Sequence, residues 1–303
     1  MLGNDNSNIG KQIGSSYRIV AELGRGGFGD VYLGQHIFFA NRPPVAIKLL
    51  HTFLRSPKER DQFIQEAQLL NSLTHPHILP ILDAGMHESL PFIVMEYASG
   101  GSLQDRIDQQ PDQTFPVEEA ITILTHIGEA LHYAHQQNIV HRDLKPDNVL
   151  FNSKGEAMLA DFGLAAILSS ARTRDMGSGG TPAYMAPEMF EGKVSVKSDQ
   201  YALGCIAYEL VTGRKPFEVE GLPVIAVQYQ HAKVEPTAPT QHNPRISSPI
   251  EQGILKAMAK DRANRHVDVR TFLTALQTPQ KSAQEWFKEG YALDELKRYE
   301  EAI

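Results

Sequence analysis

A chain of 303 residues, 42% hydrophobic and 21% charged, is longer than most single domains and has the balance of a globular protein, which excludes a disordered or fibrous one. Its formal charge of -7 argues against a general nucleic-acid binder, so no nucleic-acid partner is expected, while phosphate-bearing small molecules stay compatible with a local basic groove. Cys205 is the only cysteine and lies in an apolar run, which leaves no disulfide framework and makes it a buried small hydrophobe rather than a nucleophile.

Residues 1–16 are polar and rich in Gly, Asn and Ser, and the expectation is a disordered lead-in without the apolar core of a signal peptide. No stretch approaches the roughly 18 continuous apolar residues of a membrane span, so no membrane segment and a cytoplasmic location are expected. From 17 to about 96, the segments YRIVAEL, VYLGQHIFF, VAIKLLH, HILPILDAG and PFIVMEY alternate as strands. One helix interrupts them over 57–73, with Phe63, Ile64, Ala67, Leu70 and Leu73 as its buried stripe. His75 and His77, around Pro76, read as the turn that ends it.

Gly100 and Gly101 mark the crossing from this small lobe (17–97) into a mainly helical lobe over 102–277. There Ile121, Leu124, Ile127, Leu131 and Ala134 recur at three and four, defining a long core helix that ends near 137. His132 and His135 sit three apart on it without carboxylate or cysteine partners at a metal-binding spacing. Short strands are expected at 148–151 and 157–160, then a Gly/Ser/Thr-rich loop over 161–188, then helices near 197–212, 222–231, 249–260 and 267–276. A cleft between the two lobes is the expected ligand site.

Chemistry-bearing residues cluster around that cleft. Leu23 opens LGRGGFGDVYLG, where Gly24, Gly26 and Gly29 let backbone N–H groups approach phosphate oxygens without interference from a Cβ. The segment after Gly29 continues as a strand rather than opening a helix, which disfavours a dinucleotide site and leaves a glycine hairpin over the ligand. Lys48 ends VAIK in mid-strand, where an unpaired ammonium is costly. Glu66 on the following helix is the first choice of partner; Glu59 is nearer the helix start and reads as a cap, and a snorkelling surface lysine is the rival reading. In HRDLKPDN, Asp143 is placed to orient or accept a hydroxyl proton and Lys145 to neutralise charge on a moving phosphoryl group. Asn148 and Asp161, from adjacent hairpin arms, form an oxygen pair suited to Mg²⁺. His141 reads as a residue that pins the loop, and Arg142 as a reader of negative charge on a mobile segment.

With GxGxxGxV, VAIK, HRDLKPDN, DFG and APE present in this order, the sequence resembles the protein kinase family from about residue 17 to 276. The resemblance implies an α+β bilobal protein kinase fold, with a small antiparallel β lobe carrying one helix and a larger mainly α lobe. It implies ATP and Mg²⁺, with Mn²⁺ as an alternative ion, as cofactors, and protein substrates with Ser or Thr acceptors. Lys145 together with GTPAYMAPE (180–188) is similar to the serine/threonine branch, in bacterial kinases of eukaryotic type, where Thr181 helps seat the acceptor. By the same resemblance, Lys48, Glu66, Asp143 and Lys145 serve catalysis. Met95 is the gatekeeper, Glu96 to Ala98 offer backbone groups to adenine, and Val31, Ala46 and Leu150 enclose its ring. Glu188 is expected to pair with Arg265, and Asp199 to anchor the catalytic loop. Thr173 and Ser178 are the best-placed sites of autophosphorylation, with Arg142 as the phosphate reader.

The tail over 278–303 carries Trp286, Gly290, Tyr291, Tyr299 and Ala302 in the spacing of a tetratricopeptide repeat, cut short. One such unit cannot bury its own faces, so the chain reads as the start of a longer protein whose repeats recruit protein partners. A plain amphipathic terminal helix is the rival reading. For the whole chain, the competing function is a catalytically weak nucleotide-binding scaffold that acts through those repeats.

Overall fold

The structure, a computed structural model, describes residues 8–27, 29–54, 56–110, 114–162 and 182–277. Among these, the alternating segments build one antiparallel sheet from β1 (Gln12–Ile13), β2 (Tyr17–Gly26), β3 (Gly29–His36), β4 (Val45–Leu50), β5 (Ile81–His87) and β6 (Leu90–Glu96), in the order β1-β2-β3-β4-β6-β5. β4 lies inside the sheet and is buried from Val45 to Leu50, so Lys48 is held in an apolar setting.

The lead-in expected to be disordered through residue 16 is ordered within the described residues. Gln12 pairs with Arg18 and Ile13 with Tyr17, and Ile13 completes a cluster with Tyr17, Ile19, Ile47, Phe92 and Val94 on one face of the sheet. Burying Ile13 offsets the ordering cost of the strand, but a lone isoleucine shows no periodicity in sequence.

α1 (Pro57–Asn71) starts on a capping box. The Glu59 N–H donates to Ser56 Oγ at 3.2 Å and the Ser56 N–H donates to Glu59 Oε2 at 3.0 Å, with Pro57 in the first turn. Glu59 is thus the cap its position suggested. Phe63, Ala67 and Leu70 are buried, Ile64 is half-buried, and Leu73 packs inside just beyond the helix end.

In the large lobe, α2 (Leu103–Gln109) precedes α3 (Val117–Gln136), whose buried stripe runs through Ala120, Leu124, Ile127, Leu131 and Ala134. Ile121 sits at the edge of that stripe and Ile123 is buried in its stead. A hairpin of β7 (Val149–Phe151) and β8 (Ala157–Leu159) follows, then α4 (Val196–Thr212), α5 (Val224–Lys233), α6 (Pro239–His242), α7 (Ser248–Ala257) and α8 (Val269–Gln277). α4 is buried all round from Ser198 to Thr212. Cys205 lies wholly inside it, and burial pushes its thiol pKa well up, which makes it inert.

Both links between the lobes end on the β7–β8 hairpin. The Gly100 N–H donates to Phe151 O at 2.8 Å and the Phe151 N–H to Gly101 O at 2.9 Å; a Cβ on Gly100 would lie 2.8 Å from that same carbonyl oxygen. On the other arm, the Leu159 N–H donates to His77 O at 2.8 Å and the Leu79 N–H to Leu159 O at 3.0 Å. A single apolar core runs from Ala46 and Phe63 through this hairpin to Leu276. Among the described residues no helix is long and apolar enough to cross a membrane.

Candidate active site

Lys48 forms an ion pair with Asp161, and its side chain is only 8% exposed, so the amine is neither a surface group nor unpaired. The expected pair with Glu66 is not formed. Glu66 instead accepts a hydrogen bond from Gln62 Nε2 at 3.0 Å, one turn back on its own helix. Asp161 takes a left-handed conformation, φ 62°, and its carboxylate meets the Lys48 ammonium. Phe162 is buried behind it, against His141 at 4.8 Å between ring centroids and beside Leu70 and Leu73.

The loop over 141–148 is fixed from beneath. Asp199, buried at the start of α4, accepts the His141 N–H at 2.8 Å and the Arg142 N–H at 3.0 Å, as expected of an anchor. Those bonds hold Arg142 at φ 74°, with its side chain exposed. His135 Nε2 also bonds Asp199, at 2.7 Å, which accounts for a histidine that had only been weighed as a metal ligand. Its partner lies 64 positions away, so no local signal could have found the contact. His141 pins the loop as expected: its Nε2 bonds Ala160 O at 2.9 Å and its Nδ1 accepts the Asp143 N–H at 3.3 Å.

On this loop Lys145 Nζ lies 3.0 Å from Asp143 Oδ2. Asn148 Nδ2 donates to Asp143 O at 2.7 Å and to Asp143 Oδ2 at 3.2 Å, so the amide oxygen is the atom left for a cation. The Ala160 N–H donates to Asn148 O at 2.8 Å, which ties together the stretches carrying Asn148 and Asp161. Among the described residues no three His, Cys, Asp or Glu side chains converge as a metal cage. An all-oxygen pair of this kind suits Mg²⁺, which keeps waters and phosphate oxygens as further ligands.

The glycines divide by what surrounds them. A Cβ on Gly24 would meet nothing within 4 Å and one on Gly26 only a carbonyl oxygen at 3.5 Å, whereas one on Gly29 would lie 2.4 Å from Leu49 O. Gly29 therefore serves strand packing, while Gly24 and Gly26 border a space that none of the described residues fills. Leu23 beside them is exposed. Deeper in the cleft Ala46 is paired with Met95, both buried, and Val31 and Leu150 are partly buried against the same core; Glu96 is exposed and Ala98 half-buried on the crossing strand.

Two carboxylates, Glu188 half-buried and Glu209 buried, brace the large lobe. Glu188 takes both arms of Arg265, at 2.8 and 2.9 Å, as expected, and accepts Ser198 Oγ at 2.9 Å. Burial alone would push the Glu188 carboxyl up, but these bonds hold it below the usual range. Glu209 on α4, which the sequence did not single out, accepts the Tyr184 hydroxyl at 2.6 Å; burial pushes its carboxyl up despite that bond. Thr181, Thr173 and Ser178 lie outside the described residues, as does the tail over 278–303.

A buried lysine paired with Asp161, a carboxylate and an amide at the two ends of one hairpin, and a paired Asp and Lys beside them form one polar cluster at the junction of the lobes. The chain belongs to the protein kinase family: the protein kinase domain matches residues 17–279. It is 39% identical over 277 residues to the probable serine/threonine-protein kinase PknB of Lactococcus lactis, covering 89% of this chain and 43% of that protein. It is 38% identical over 261 residues to the serine/threonine-protein kinase PrkC of Bacillus subtilis, covering 85% and 39%. The chain thus spans about two fifths of the length of these curated relatives. Among solved structures, the PknI kinase domain of Mycobacterium tuberculosis superposes with a TM-score of 0.69 at 29% identity, covering 88% of this chain and 97% of that one.

Proposed function

We propose that the chain is an ATP-dependent serine/threonine protein kinase that also phosphorylates its own activation segment. One observation carries the reading: Lys48, Asp161, Asn148, Asp143 and Lys145 are held in one bonded network, and the packing of the described residues does not require Gly24 or Gly26 to lack a Cβ. The acceptor hydroxyl oxygen attacks the γ-phosphorus of ATP, the bond from that phosphorus to the β–γ bridging oxygen breaks, and ADP leaves. Asp143 takes the hydroxyl proton, and Lys145 neutralises charge on the phosphoryl group in transit.

Gly24 and Gly26 let backbone N–H groups approach the phosphates, and Lys48 holds their oxygens. Asn148 and Asp161 would hold Mg²⁺, which supplies neutralisation of the phosphate oxygens as the bridging bond breaks. Leu23, Val31, Ala46, Leu150, Met95, Glu96 and Ala98 frame the adenine. Glu66 serves by pairing with Lys48 once its bond to Gln62 is released. Thr181 seats the acceptor, and Thr173 and Ser178 take the regulatory phosphate with Arg142 as its reader. Protein partners beyond the substrate are recruited through repeats that begin at the tail.

Transfer from γ-labelled ATP to a generic protein acceptor and to the chain itself tests this, with Asp143→Asn alongside. The expected result is a loss of about 10²- to 10⁴-fold in the variant with nucleotide binding retained. Equal rates in both proteins would remove Asp143 from the mechanism. Nucleotide binding without transfer in either would leave the nucleotide-binding scaffold as the function.

A further inference from the structure

Away from the catalytic loop, two histidine rings stack across the junction of the lobes. His77, between α1 and β5, and His126, on α3, have centroids 3.9 Å apart and planes within 12°. Both bond the same residue at the start of β8: His77 Nδ1 lies 2.9 Å from Ala157 O, and the Ala157 N–H donates to His126 Nδ1 at 3.3 Å. His75 stands beside them, 5.8 Å from the His77 ring and stacked on Tyr133 at 5.2 Å, with its Nδ1 accepting the His77 N–H at 3.2 Å.

The partners fix the protons. A carbonyl oxygen only accepts, so His77 Nδ1 carries hydrogen; a backbone N–H only donates, so Nδ1 of His126 and of His75 carries none. A proton added to His77 goes to Nε2, which faces Glu129 at 4.0 Å, and leaves its bond to Ala157 intact. A proton added to His126 goes to Nδ1 and removes the acceptor from the Ala157 N–H. Two protonated rings would also be like charges in stacking contact.

We infer that His77 and His126 are positioning residues that clamp β8, and through it Asp161, and that protonation of His126 releases the clamp. The link from β8 to phosphoryl transfer rests on the function proposed above; the clamp does not. The groups that face the rings come from every packed element. Glu129 and Tyr133 project from α3, His75 from the turn after α1, and Glu156, held by Asn152 at 2.7 Å and accompanied by Lys154, from the β7–β8 turn. Burial first, and the His77 charge second, push the His126 and His75 pKa values below the usual histidine value, against opposing pulls from Glu129 on both and from Glu156 on His126. With folded values depressed, the two histidines stay neutral near pH 7, and their contribution is lost as pH falls from about 6.5 through those lower values.

The test follows the protection factor of the Ala157 amide by hydrogen exchange from pH 8 to pH 5.5, alongside ¹³C NMR titration of the histidine rings and the phosphotransfer rate. Wild-type protection at Ala157 is expected to fall about tenfold per pH unit from about pH 6.5 down to the lower pH at which folded His126 titrates, the slope of one linked proton, ahead of amides in α4. His126→Asn, whose Oδ1 accepts the same N–H without titrating, is expected to abolish that fall and to raise the ratio of its rate at pH 6 to its own rate at pH 8 above that of wild type. Ala157 protection that ignores the His126 titration in the wild type overturns the proposal with no variant needed. An acid limb unchanged in His126→Asn overturns it as well. If protection behaves as expected and neither protein transfers phosphate at any pH, the clamp stands and the kinase reading falls.

Discussion

Arg265 has no exposed side-chain surface and meets Glu188 through both arms of its guanidinium. Removing it strands a carboxylate inside the large lobe, so Arg265→Ala is expected to cost about 3–5 kcal/mol, read as a lowered urea midpoint. Arg265→Lys keeps the charge but loses the fork, and should fall between the two. This pair was legible in the sequence because APE and the distant DRANRH both carry motif signals. Lys48 shows where such legibility stops. Its position in mid-strand demands an anion, but whether Glu66 or Asp161 supplies it depends on how α1 and the segment after β8 sit in three dimensions, which no spacing encodes.

Among the elements, β2 and β3 carry their glycines for different reasons, and substitution separates them. Gly29→Ala forces a Cβ against the Leu49 carbonyl and is expected to lower stability by about 1–3 kcal/mol. Gly24→Ala meets no neighbour, so its unfolding free energy should stay within about 0.5 kcal/mol of wild type while the KM for ATP rises. A stable Gly29→Ala protein, or an unaltered KM in Gly24→Ala, would reverse these assignments. α1 and α3 were readable from their apolar periods and, for α1, from Ser56 and Glu59 at its start. β1 was not, because a two-residue strand is defined by its partner Tyr17–Arg18 rather than by any pattern of its own.

For the whole molecule, neutral buried histidines set the acid limit of stability. His231 is fully buried against Tyr201 Oη at 3.0 Å, and burial pulls its pKa down to about 3. The unfolded chain therefore binds a proton that the folded chain refuses, a loss of about 1.4 kcal/mol at pH 5.5 from this residue alone. Urea unfolding at pH 7.5 and 5.5 should show the midpoint falling at constant slope, and His231→Phe should flatten part of that difference. The bilobal plan was visible in the switch from strand to helix periods, but the joinery was not. Gly100–Gly101 fasten to β7 and His77–Leu79 to β8, so the small lobe is attached to opposite arms of one short hairpin. Such an attachment works as an axle. Asn148 and Asp161 stand at the two ends of this hairpin and are tied by the bond from the Ala160 N–H to Asn148 O, so any rocking of the small lobe about the attachment would leave their spacing unchanged. On the proposed function, a nucleotide could then enter and leave without dismantling the pair of oxygens that would hold its metal ion.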